Sequence, residues 1–198
     1  MRVMSAVGFL SLLATSSLMA QRTSINPFVT YNWGGSVRVF EGDLKLAASE
    51  AYGATIDVTV RSGAKAQLFY SYQPTQLNLQ RFNGLTEPVT PMDVHYIHLG
   101  GVAEGGRGKL KAFGGASAGA TVFHASSALF SDEWRFSVRL FLGGKFMLAE
   151  RIGLHVKGEI LLPMQWAGVC VGCGGGAGVT TGTTIVQGVV GGGLTIVF

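Results

Sequence analysis

The chain has 198 residues, enough for one domain, and 13% of them are charged against 47% hydrophobic, a balance too oily for an ordinary soluble globule and suited to a chain with lipid as part of its solvent. Thirty glycines exclude a helical bundle, because each glycine inside a helix costs about 0.5–1 kcal/mol relative to alanine. The formal charge of +4 comes from basic residues placed singly along the chain, so nucleic acid is not an expected partner.

The first segment reads as a targeting signal. Arg2 supplies a short positive region, Val7 to Ala14 an apolar one, and Leu18-Met19-Ala20 a small residue ahead of a cut before Gln21. A cleaved signal peptide is therefore predicted over 1–20, with residues 21–198 as one exported domain. The apolar stretch is too short to cross about 30 Å of hydrocarbon.

Beyond residue 20 no long apolar run occurs, so no transmembrane helix is expected. Eight strands are predicted instead, over 28–39, 52–61, 65–74, 92–104, 109–123, 133–147, 152–166 and 183–198. The period is two. In Glu133–Met147, Trp134, Phe136, Val138, Leu140, Leu142 and Phe146 alternate with Glu133, Arg135, Ser137, Arg139 and Lys145. The same parity sets Ile152, Leu154, Val156 and Ile160 against His155, Lys157 and Glu159, and Ile56, Val58 and Val60 against Asp57, Thr59 and Arg61. In 92–104 the better phase turns Ile97 and Leu99 outward and His98 inward. The stretch 109–123 holds so many small residues that both phases fit.

A soluble antiparallel sandwich also alternates. Strand length separates the two architectures, since a tilted membrane strand needs roughly 9–11 residues whereas globular strands centre on about 5–6. Connections alternate in length as well: "SGA", "GGRG" and "LAER" are short, while "FEGDLKLAASEA", "TQLNLQRFNGLTEPVTP", "HASSALFSD" and "AGVCVGCGGGAGVTTG" are long. Short turns on one side and long loops on the other mark an outer-membrane barrel, with both termini on the periplasmic side. Unpaired strand edges in hydrocarbon would leave backbone groups unsatisfied, so the eighth strand must pair with the first. The expected fold is thus all-β, a transmembrane antiparallel up-and-down barrel of eight strands. Tyr31, Trp33, Tyr70, Tyr72, Trp134, Trp166 and Phe198, toward strand ends, fit interfacial girdles.

From Phe28 to Phe198 these residues resemble the eight-stranded outer-membrane β-barrel superfamily, the small barrels of outer membrane protein A type. The closing strand "TTIVQGVVGGGLTIVF" carries the resemblance best, and "YGATIDVTVRSGAKAQLFYSYQ" and "HYIHLGG" look like stretches of exported barrels of this kind. The resemblance implies a Gram-negative cell envelope, outer-membrane lipids as surroundings, and a terminal aromatic, here Phe198, read by the barrel assembly machinery. It brings no active site.

A barrel of eight strands is narrow enough for side chains to fill. The inward set is predicted to include Arg38, Asp57, Arg61, Lys65, His98, Arg135, Arg139, Lys145, His155, Lys157 and Glu159, forming a paired polar network, because buried charge is costly unless compensated. A narrow, porin-like passive pore, favouring anions, is the alternative. His95 and His98 fall on opposite faces of a strand and share no metal. His124, Ser126 and Glu133 invite comparison with outer-membrane lipid A deacylases, which use a His, a Ser and an acid, but the surrounding motif is absent; such a lipid-modifying enzyme is the third reading. Cys170 and Cys173 are expected to form a small disulfide in an exported chain, since neither a redox helix nor further zinc ligands accompany them. The expected function is structural or interactive, without catalysis, metal or cofactor, in a monomer whose long loops leave room for an extracellular ligand. Deleting Phe198 is expected to impair membrane insertion far more than synthesis or export, as read by comparing membrane-inserted with total exported protein.

Overall fold

A computed structural model describes residues 22–39, 42–82, 84–125, 132–164, 169–170, 178–179 and 185–198. The signal-peptide reading falls outside these residues. The described elements are β1 (Thr23–Gly34), β2 (Ser36–Val39), β3 (Gly42–Leu46), β4 (Ser49–Arg61), β5 (Ala64–Arg81), β6 (Thr86–Arg107), β7 (Leu110–Ala125), β8 (Glu133–Met147), β9 (Ile152–Met164), β10 (Val169–Cys170), β11 (Gly178–Val179) and β12 (Gln187–Val197).

Eight of these close into a ring in the order β1, β4, β5, β6, β7, β8, β9, β12 and back to β1, every pair antiparallel. The register fixes the geometry of closure. Stepping from partner to partner, Ser24 leads to Asp57, Gln67, Gly100, Ser117, Arg139, Leu161 and Gln187, and the path returns to β1 at Gly34. One circuit therefore advances ten residues along β1. For eight strands that stagger corresponds to a tilt of about 40° and a backbone radius of about 8 Å.

Parity on each strand then divides side chains between lipid and lumen. Outward residues include Ile25, Val29, Ile56, Val60, Leu68, Leu99, Leu140, Leu142, Leu154, Val156, Val190 and Leu194, all substantially exposed. Such a belt of aliphatic side chains on a closed sheet is a surface for hydrocarbon to solvate. One girdle row runs across paired positions through Val29, Tyr52, Tyr72, His95, Val122 and Trp134, and Phe146 and Phe198 lie toward the other rim. The spans from Tyr52 to Val60 and from Trp134 to Phe146 correspond to about 20–30 Å along the tilted barrel axis. The phase of β7 is also settled: Ser117 and Thr121 are buried inward while Ala112, Ala116 and Ala118 are exposed. Ala112 and Ala116 lie beside Gly105 and Gly101 of β6, so the outer surface there is a nearly bare backbone.

Two departures from the sequence reading concern the far side. The predicted first strand, 28–39, begins earlier, at Thr23, and breaks at Gly34 and Gly35, whose φ angles of 83° and 95° suit glycine. After the break, β2 and β3 make a hairpin whose β3 pairs with Leu77–Arg81 of β5. The predicted loop 75–91 is itself mostly strand, because β5 and β6 continue as a ladder to Gln80 and Thr86. Leu77 and Leu79 alternate there with Gln76, Asn78 and Gln80, and Leu46 and Leu77 pack with the apolar cluster, so the extension also has an inner face. The other end has short turns at 62–63, 108–109 and 148–151, and the start of β1 and the end of β12 meet there, with the Phe198 amide donating to Thr23 O at 2.8 Å.

Ring closure is tight where β12 meets β1. A Cβ added to Gly193 would run into the carbonyl of Pro27, and one added to Gly191 into that of Val29. Replacing Gly193 with Val is expected to abolish the compact, heat-modifiable form on gels, whereas Gly101→Ala, with open space around its Cβ, should leave it intact.

Candidate functional site: the lumen and its mouths

Inward positions bring titratable and aromatic side chains from all round the ring to one place. Arg139 of β8 is at the centre, with its side chain 1% exposed. Its Nε and Nη2 donate to the two carboxylate oxygens of Glu159 on β9 at 3.0 and 2.9 Å, a forked pairing that suits a planar guanidinium. Its Nη1 donates across the lumen to Gln67 Oε1 on β5 at 2.9 Å and to Ser117 Oγ on β7 at 3.3 Å. The rings of Phe69 and Phe141 lie on either side of the guanidinium carbon, each 3.9 Å away, so its faces meet π density and its edges meet acceptors.

Further contacts extend the network. Gln67 Nε2 donates to Asp57 Oδ1 at 2.7 Å, and Asn26 Nδ2 to Asp57 Oδ2 at 3.0 Å. Lys157 lies 2.7 Å from Glu159 and over the Phe28 ring. His98 contacts Ser137 Oγ at 2.6 Å, which also accepts from Thr121 at 2.7 Å. His155 meets the Thr195 hydroxyl at 3.3 Å. Toward the far end Tyr96 donates to Gln187 Oε1 at 2.5 Å, and Val94, Phe123, Leu161, Val189, Leu46 and Ile185 pack as an apolar cap. The void left around Arg139 is about 20 Å³, room for about one water.

The near mouth is different. Glu104 of β6 receives Lys65 at 2.8 Å, Lys145 at 3.3 Å and Lys111 at 3.4 Å, and Lys145 also reaches Asp57 at 3.5 Å. Here the lumen opens into a vestibule of about 290 Å³.

Of the residues expected in the lumen, Asp57, His98, Arg139, His155, Lys157 and Glu159 are brought together and buried. Arg135 is half-buried nearer the far mouth, paired with Glu133. Arg61 is exposed at the turn, because the register slips between Thr59 and Arg61. Arg38 lies on β2, opposite Asp43 and beyond the break at Gly34 and Gly35; its side chain falls outside the described residues. Phe69, Phe141, Glu104 and Lys111 were missed. Phe141 and Phe69 occupy the inward parity of their strands, a signal that was available.

Outside the lumen, His95 faces outward beside Tyr70 and Tyr72, opposite in sense to His98. His124 is exposed and contacts Asp132 at 2.5 Å, so its acid partner is Asp132, while Glu133 pairs with Arg135. Ser126, Trp166 and Cys173 lie outside the described residues, as does the side chain of Cys170, so the disulfide reading falls there too. Among the described residues no three His, Cys, Asp or Glu side chains cluster as metal ligands.

Glu159 serves two cations, so Glu159→Gln would leave both without their counter-charge. It is expected to cost about 3–5 kcal/mol, measured by urea unfolding in lipid vesicles with tryptophan fluorescence. Replacing Glu159 and Arg139 together with Leu and Met should cost less than the single change.

No family model matches the sequence, and no curated protein matches it. Solved structures do resemble it. Neisserial surface protein A superposes with a TM-score of 0.61 at 10% identity, covering 90% of this chain and 97% of that one. The N-terminal β-barrel domain of Pseudomonas aeruginosa OprF gives 0.52 at 12% identity, covering 88% and 97%. Shared along nearly the whole length, the closed ring of antiparallel strands with its lipid-facing belt gives this chain the fold of the small eight-stranded outer-membrane β-barrels.

Proposed function

We propose that the protein is an integral outer-membrane barrel that does not conduct and that presents a sheet beyond the membrane for contact with a partner. The observation that carries this reading is the small void around Arg139: aromatic rings and paired charges occupy the cross-section that a solute would need. The fold shared with a neisserial surface protein and with the OprF barrel domain supports an outer-membrane location. Energy favours the filled state, because hydrating this lumen would require separating Arg139 from Glu159 and from two rings.

The surface role rests on the extension made by β2, β3 and the outer halves of β5 and β6. Its tip exposes Phe82 and Leu85, at 72% and 60%, apolar residues that gain by being covered. No catalytic role is assigned. A narrow anion-favouring pore is the second reading, drawn from the excess of lysine at the near mouth.

Planar-bilayer recording separates the two readings: the filled barrel should give no stepwise currents, and discrete single-channel steps would overturn it. Trypsin added to intact cells should cut after Arg81 and leave the membrane-embedded ring resistant. Protection of Arg81 on intact cells would sink the surface assignment.

A further inference from the structure

The vestibule at the short-turn mouth has a charge balance that the ring does not need. Four cationic side chains, Arg22, Lys65, Lys111 and Lys145, line it against two carboxylates, Glu104 and Glu150. Three of the ammonium groups converge on Glu104 alone, within 2.8–3.4 Å. Each ammonium has three donors to place, whereas a carboxylate offers about four lone-pair sites, so Glu104 cannot satisfy them all. Lys145 finds further relief at Asp57, 3.5 Å away, but Asp57 already accepts from Gln67 and Asn26. Donors are left over, and they border open volume.

An independent observation points to the same place. Ser24, 3% exposed, lines this vestibule, and its Oγ has no hydrogen-bond partner among the described residues. A buried hydroxyl without a partner is uncommon, and here it sits in the wall of a cavity with surplus positive charge. The volume of about 290 Å³ is far above the roughly 10–15 Å³ of the same measure that one water needs, enough for a tetrahedral oxyanion and part of its hydration shell.

We propose that this vestibule is a binding site for a soluble phosphate-type oxyanion, held by Lys65, Lys111 and Lys145 and by the hydroxyl of Ser24. Glu104 is then the occupant's competitor: it keeps the lysines paired when the site is empty and yields donors when an anion arrives. The lumen side of the site is closed by the Arg139 network, so the anion enters from the short-turn side and leaves the same way.

The test uses the full chain folded in a sugar-headgroup detergent, free of lipid phosphate, titrated with inorganic phosphate and followed by amide and lysine NMR shifts. Saturable shifts at Ser24, Lys65, Lys111 and Lys145 are expected. Lys111→Ala, whose side chain is partly exposed and outside the central network, should weaken binding about tenfold, the loss of one charge-assisted hydrogen bond. Ser24→Ala should weaken it with gel mobility unchanged. Glu104→Gln should tighten binding about tenfold, the reverse of what a purely structural carboxylate would give. Absence of saturable shifts in both the unmodified chain and Lys65→Arg, which keeps the charge, would overturn the proposal. So would equal affinity in Lys111→Ala. In a further arm phosphatidylglycerol is added to the micelles; if it produces the same shifts and blocks phosphate, the occupant is a lipid headgroup and the soluble-anion assignment fails.

Discussion

Hydrocarbon offers no hydrogen bonds, and that constraint governs this molecule. Every backbone amide and carbonyl in the belt must find its partner on a neighbouring strand, so a sheet in lipid has no tolerable edge. The β1–β12 ladder removes the last one. Close approach of backbones around the ring leaves no room for a Cβ at Gly191 and Gly193 on this seam, nor at Gly100, Gly115 and Gly119 between β6 and β7. The ten-residue stagger then sets the radius, and the radius sets how many side-chain atoms the interior must hold.

With that space fixed, inward chemistry is a packing problem with charges in it. Arg139 solves much of it, because a guanidinium is flat enough to lie between Phe69 and Phe141 and has enough donors at its edge to reach Glu159, Gln67 and Ser117. A lysine there would lose both the stacking and the fork. The charged interior is therefore tied to one conformation, while the apolar cap of Val94, Tyr96, Phe123 and Leu161 excludes water from the other end.

How much of this was legible depended on solvent contrast. β8 and β9 were read with their phases because one face meets lipid and the other meets charge. β7 had no such contrast: outward Ala112, Ala116 and Ala118 are scarcely larger than inward Gly115 and Ser117, so Lys111 could not be placed and Glu104 lost its context. In the outer parts of β5 and β6 the alternation is short, Leu77 and Leu79 among polar neighbours with Pro88 and Pro91 on the partner strand, and such a strand reads as loop. Two consecutive glycines in the left-handed region, Gly34 and Gly35, interrupt the first predicted strand, a break that parity alone does not reveal. Pairings such as Arg139 with Gln67, 72 residues apart, follow from the stagger, which no local pattern encodes.

The reach of Arg139 also says something about the order in which the barrel comes together. Its acceptors come from strands on different arcs of the ring, and Asp57 meets Lys145 from 88 residues away while Tyr96 meets Gln187 from 91. A partly zipped sheet would turn these groups toward an open gap, where the cations and carboxylates have lost water and not yet gained one another. With the seam open these pairs are unmade. The last ladder and the last lumen contacts are therefore parts of one structure: the sheet's closure and the polar interior are complete only together.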